Sequence, residues 1–233
     1  MCRMLVAEGT RHATALSHQN DTYPENTPER LTQAAAELAK RLKEEKIPLY
    51  TYPSAEVMIS LDTAQQWKDG KLLSIGGHKK FLLLEQPHGM FLDYRPVAAS
   101  LRPLGIRVIV AHAERYEEMM HDAGMIEACV AAGCLIQVTA EGLAQPPSSR
   151  RAAVLKDWAK RGLIHLLGSD GHGIERRQPR MKEGYQTLAR YAGPAAAERA
   201  AGIWGPAVLQ GLPVNVPKPV IQKKSWFTKL FGG

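Results

Sequence analysis

Along this chain, short apolar runs alternate with longer stretches in which apolar residues return every three or four positions. The short runs, at residues 9–18, 49–56, 80–85, 105–112, 134–139 and 162–167, read as strands bounded by glycine and other turn residues. The longer stretches read as helices with one apolar face. Residues 1–8 are the end of an amphipathic helix that Gly9 closes. Thr27 and Pro28 open a long helix reaching about Lys46, with Thr27 as N-cap and Leu31, Ala35, Leu38 and Leu42 along one side. Further helices are predicted at 62–67, 94–104, 116–132, 149–161, 186–192 and 195–201. Strands alternating with helices across short connections predict parallel βα units. The strand count falls about one βα unit short of a small closed barrel. The expected fold is therefore α/β, a TIM-like β/α barrel that is incomplete at the N-terminus.

Composition narrows the setting. The 233 residues carry no apolar run near the roughly 18 residues that span a bilayer, and the first residues have no continuous apolar signal core. Cys2, Cys129 and Cys134 have neither metal nor redox spacing, and Cys129 and Cys134 read as buried thiols, which fits a reducing, cytoplasmic setting. The net charge of +7 suits nucleic acid, an anionic membrane surface or a phosphorylated substrate, and does not choose among them. From Pro213 the chain turns proline-rich and then interleaves lysines with Trp226, Phe227 and Phe231. The expected organisation is one domain over 1–212 and a tail over 213–233, the tail able to lie on an anionic membrane surface or to dock loosely on the body.

The candidate chemistry sits at the strand ends. Predicted strands finish on or just before His18, Glu56, Glu85, His112 and the pair Asp170 and His172. Parallel strands bring such ends to one rim. Imidazole and carboxylate without thiolate suit Mn, Fe or Zn in a catalytic site. His165, inside an apolar run, reads as a core histidine, and His12 as a surface or loop residue. Glu114 reads as either a carboxylate supporting the site or a surface ion pair. Trp67, Trp158 and Trp204 read as packing residues.

The segments Ser17-His18, Ala55-Glu56-Val57, Leu84-Glu85, Ala111-His112-Ala113-Glu114-Arg115-Tyr116 and Gly168-Ser169-Asp170-Gly171-His172 resemble, in order and spacing, those of PHP (polymerase and histidinol phosphatase) domains. The His-x-Glu-Arg-Tyr segment and Arg177-Gln178-Pro179-Arg180-Met181 are similar to those of the manganese-dependent protein-tyrosine phosphatases of capsule and exopolysaccharide operons, the CpsB/YwqE type. The likeness covers about residues 1–210. It implies a distorted β/α barrel with a site of two or three Mn²⁺ ions, Fe or Zn being the alternatives. The implied metal ligands are His18, Glu56, Glu85, His112, Asp170 and His172. The implied catalytic set is Arg115, Arg177 and Asp170, with the two arginines binding phosphate. The implied substrate is a tyrosine-phosphorylated protein, a polysaccharide-synthesis tyrosine kinase, and no nucleic-acid partner is expected.

One family feature has no counterpart. The opening strand with His-x-His and a following aspartate is missing, so that strand is expected upstream, or else the metal site is reduced. The open strand edge makes self-association an expectation. Two competing readings follow: a catalytically impaired module that binds phosphorylated kinase tails, and another phosphoesterase of the superfamily, such as a histidinol-phosphate phosphatase.

Overall fold

Period-2 alternation along the strands decides which side chains face the site. In the computed structural model, which describes residues 1–219, the chain runs α1 (Cys2–Ala7), β1 (His12–Gln19), α2 (Pro28–Glu44), β2 (Tyr50–Met58), α3 (Thr63–Lys68), β3 (Phe81–Glu85), α4 (Tyr94–Leu101) and β4 (Arg107–Val110). It continues through α5 (Glu117–His121), α6 (Ala123–Ala131), β5 (Leu135–Thr139), α7 (Ala140–Ala144), α8 (Ser149–Lys160) and β6 (Leu166–Gly168). The chain then enters α9 (Met181–Ala192), α10 (Pro194–Ala197) and α11 (Trp204–Leu209). All strand pairs are parallel, and the strands lie side by side in chain order, β1 to β6. Among the described residues β1 and β6 are the two edges of this curled, half-barrel sheet.

Leu82, Leu84, Val108, Val110, Ile136 and Val138 point outward into the main core, against the helices. Phe81, Leu83, Ile109, Leu135 and Leu166 point inward, with Ile75, Val208 and Val214. Glu85 therefore shares the inner face with Phe81 and Leu83, and Gln137 shares it with Leu135. On β2, Ala55 and Val57 belong to the outer core, which leaves Glu56 inward. His18 is in register with Glu56 and so stands beside it. The inner face opens as a cleft of about 1230 Å³ whose wall includes His18, Glu56, His112, Asp170 and His172.

Several local expectations hold. Thr27 caps α2 by accepting the Arg30 N–H, and Pro28 is its first residue. Gly105, at φ 75, ends the α4 region with a backbone that a side chain would strain. Trp158 is fully buried, and Trp67 and Trp204 pack against the two cores.

Other expectations need correction. The helix predicted at 116–132 is two helices, because Asp122 turns extended (φ −123, ψ 101) and accepts the Gly124 N–H to start α6. The 94–104 helix tightens to a 3-10 turn at Arg102–Leu104, where Pro103 has no N–H to give. The strand predicted at 162–167 begins only at Leu166. Ahead of it the Ile136 N–H goes to the His165 imidazole Nδ1 (2.9 Å) instead of a neighbouring carbonyl. His12 is a strand residue, bonded to the Tyr52 hydroxyl at 3.0 Å and stacked on Tyr50. At the far end, Val214 is buried and its carbonyl accepts from Arg107 Nη1 at 2.6 Å. The lysine and aromatic segment of the tail lies outside the described residues.

Candidate metal centre

Four strand ends bring together two imidazoles and two carboxylates. His18 Nδ1 lies 2.8 Å from Glu85 Oε1 and 3.5 Å from Glu56 Oε2. On the other side, His112 Nε2 lies 3.1 Å from Glu56 Oε1 and 3.9 Å from Glu85 Oε2. Each carboxylate thus presents one oxygen to each imidazole. Among the described residues, donor atoms of His18, Glu56 and Glu85 all lie within 4.8 Å of one another.

His112 reaches this cluster against the alternation of its strand. Val110 points outward and Ala111 inward, so a regular continuation would turn residue 112 away. Instead His112 adopts a left-handed backbone, φ 31 and ψ 53, which swings the ring inward. For a residue other than glycine this conformation is strained, and Asp170 (φ 47) and Arg177 (φ 50) share it. The His112 backbone N–H is tied to Gln137 Oε1 at 2.6 Å. A Cβ at Gly168 would collide with the Gln137 amide, which explains the missing side chain there.

The electrostatics are those of a site that wants positive charge. Burial raises the Glu85 pKa, and the neighbouring Glu56 charge raises it further. Burial alone would lower His112, but the hydrogen bond and charge of Glu56 outweigh it and raise its pKa. Two nearly buried carboxylates facing one another through imidazoles form a donor set that fits divalent cations, hard enough for carboxylate oxygens and soft enough for imidazole.

Asp170 stands apart from this group. Its Oδ2 accepts from both Arg115 and Arg177. Burial would raise its pKa, yet the two guanidinium charges outweigh burial and lower it. His172 Nδ1 contacts the Asp170 carbonyl at 2.8 Å and its Oδ1 at 3.7 Å. Two arginines are therefore gathered beside the acidic cluster, joined by one carboxylate.

Three contributors escape a reading of the sequence alone. Tyr116 Oη lies 3.1 Å from His112 Nδ1, Gln137 holds the His112 backbone, and Tyr23 stacks on His18 with ring centroids 6.1 Å apart. Tyr116 follows His112 by four residues in the His-x-Glu-Arg-Tyr segment, and Gln137 is a polar position in an apolar strand. Both carried a signal. Tyr23 carried none. Glu114 is not a surface residue: it is buried, with Oε1 accepting the Thr139 N–H (3.1 Å) and hydroxyl (2.6 Å). Burial raises its pKa against those bonds. His165 is fully buried as expected, and burial lowers its pKa to about 4.

A parallel α/β half-barrel with an imidazole–carboxylate cluster at its strand ends defines the class. The chain belongs to the capsular polysaccharide synthesis CpsB/CapC family, whose model matches residues 1–203. It is 29% identical to the tyrosine-protein phosphatase YwqE of Bacillus subtilis over 194 residues, 83% of this chain and 76% of that protein. It is 22% identical to the tyrosine-protein phosphatase CpsB of Streptococcus pneumoniae, covering 82% of this chain and 81% of that one. Among solved structures it matches one from the pair described as YwqE from Bacillus subtilis and CpsB from Streptococcus pneumoniae, unique metal-dependent tyrosine phosphatases. That match has a TM-score of 0.86 and 26% identity, over 96% of this chain and 90% of the other.

Proposed function

We propose that this protein is a metal-dependent phosphatase that hydrolyses phosphotyrosine on proteins, with a polysaccharide-synthesis tyrosine kinase as its substrate. The observation that carries the reading is the arrangement of Glu56 and Glu85, each with one oxygen toward His18 and one toward His112, beside Arg115 and Arg177. His18, Glu56, Glu85 and His112 would hold the metal, with Asp170 and His172 as further ligands; Mn²⁺ is the metal proposed. When bound, such divalent ions lower the pKa of water and offset charge on phosphoryl oxygens.

The chain's own residues do the rest. Arg115 and Arg177 can grip the phosphate through charge-assisted bonds, in a planar geometry lysine could not supply. Asp170 joins the two guanidinium groups and so sets their spacing. Cys129 and Cys134 are poor thiolate nucleophiles, since burial pushes their thiols up to about 11 and about 12. Among the described residues no helix is long and apolar enough to cross a membrane.

The test is hydrolysis of a phosphotyrosine peptide with added Mn²⁺, with and without a chelator, for the wild type and Glu56→Gln. Chelator and substitution should each abolish turnover. A chelator-resistant rate, or a Glu56→Gln protein as fast as the wild type, would remove the metal reading. Faster turnover of histidinol phosphate or of a phosphoserine peptide would remove the substrate assignment.

A further inference from the structure

The loop that leaves β1 holds a large ring in the open. Tyr23 is 43% exposed, although it stacks on His18 with the ring planes 17° apart, and it belongs to the wall of the inner cleft. The loop around it is tied down. The Tyr23 N–H donates to the Asn20 carbonyl at 3.1 Å, and the Tyr23 carbonyl accepts the Asn26 N–H at 3.0 Å. Asn26 Nδ2 donates to the His18 carbonyl, and Gln19 Nε2 to the Asn26 carbonyl, both at 2.8 Å. Two side chains thus fasten the far end of the loop to the end of β1. A ring left in water forgoes the gain from burial, but one already fixed loses little freedom when a partner covers it.

The position of the ring says what that partner is. The side chains of Glu56 and Glu85 are 5% and 13% exposed, and that of His18 37%, so the way out of the cluster runs past His18. Tyr23 stands next on that way. Among the described residues the cleft wall carries two tyrosines, and the other, Tyr185, gives its hydroxyl to Glu198 at 3.2 Å. A phosphate held at the cluster carries its ester group outward. In phosphotyrosine the group beyond the ester oxygen is a phenyl ring, whereas in phosphoserine or histidinol phosphate it is a methylene. Two aromatic rings attract one another, offset or edge to face, beyond the area they bury. The loops that leave β2, β3 and β6 expose Leu61, Met90 and Ile174 at the same end of the sheet, apolar surface that a small polar ester would leave uncovered.

We propose that Tyr23 is a specificity-determining residue of this site: its ring receives the phenyl ring of phosphotyrosine while the phosphate is held at the metal cluster and by the arginines. The inference rests on the phosphotyrosine-phosphatase reading above and adds to it the group that tells an aryl ester from an alkyl one. A tyrosine that merely steadied His18 would support every phosphate ligand alike. One that receives the substrate ring supports only ligands that have a ring.

The experiment titrates the Mn²⁺-loaded protein calorimetrically with benzylphosphonate and with ethylphosphonate, in which a methylene replaces the ester oxygen of an aryl and of an alkyl phosphate. Wild type, Tyr23→Phe, Tyr23→Leu and Tyr23→Ala are compared, and bound Mn²⁺ is measured in each. The wild type should prefer benzylphosphonate. Tyr23→Ala should bind it about 2- to 12-fold more weakly, the worth of one aromatic pair, with affinity for ethylphosphonate and Mn²⁺ content unchanged. Tyr23→Leu, which has no ring face, should weaken benzylphosphonate too, and Tyr23→Phe should match the wild type. A Tyr23→Ala protein that loses both phosphonates alike, or loses Mn²⁺, overturns the proposal, because the tyrosine then only steadies His18. Wild-type affinity for benzylphosphonate in Tyr23→Ala also overturns it. If Tyr23→Ala does not fold, Tyr23→Leu is judged by the same outcomes. A wild type that binds neither phosphonate removes the phosphatase reading itself and this inference with it, an outcome distinct from a variant that binds as well as the wild type.

Discussion

Replacing His165 by asparagine tests whether burial of a neutral imidazole makes this fold acid-sensitive. The ring is fully buried, its Nδ1 accepts the Ile136 N–H, and its Nε2 has no partner. Burial lowers its pKa from 6.5 to about 4, and the charge of Arg107 acts in the same direction. Above pH 6.5 folded and unfolded chains both carry a neutral ring and pH has no leverage here. Below it the unfolded chain takes up a proton that the buried ring refuses, so stability falls until about pH 4, where the folded ring also protonates. The full difference is roughly 3 kcal/mol, of which about 2 kcal/mol is lost by pH 5. Asparagine can still accept the Ile136 N–H but does not titrate. Its smaller volume beside Trp204 costs stability equally at every pH. Urea unfolding of both proteins in the presence of chelator, between about pH 8 and pH 5, reads the effect as a difference in which the other carboxylates and histidines cancel. The wild type should lose about 2 kcal/mol relative to His165→Asn over that range. Stability curves that stay parallel to within about 0.5 kcal/mol would refute the reasoning.

Arg177→Ala should weaken binding of a phosphotyrosine peptide by about 1.5–3 kcal/mol, the worth of a charge-assisted bond to phosphate, and calorimetric titration would expose an unchanged affinity. Gly168→Ala should cost about 1–3 kcal/mol in thermal unfolding, because the new methyl meets the Gln137 amide that holds the His112 backbone. In a Gln137→Ala background the same change should cost much less, and an equal cost in both would show that the amide is not the obstacle.

The sequence by itself determined that there are six strands, where several of the helices start and which residues stand at the strand ends, because those signals are local. The apolar run of β3 ends on Glu85, and Thr27-Pro28 opens α2 whatever the rest of the chain does, whereas the face of β3 that carries Glu85 is decided by which core its neighbours enter. The likeness of five short segments to a known family was also legible, since order and spacing survive in one dimension. Tertiary structure decided what the rim residues do to one another. That His18 meets Glu85 across 67 positions depends on the order and stagger of β1, β2 and β3. That His112 faces inward depends on a left-handed backbone which contradicts the alternation of β4, and which the Gln137 bond helps to hold. The break at Asp122 and the late start of β6 at Leu166 were hidden for the same reason. Each depends on a side chain capturing a backbone N–H, Gly124 in one case and Ile136 in the other, and the second capture spans two strands. Periodicity records which residues want to be buried. It does not record which hydrogen-bond partner, on a neighbouring element, will be waiting when they are.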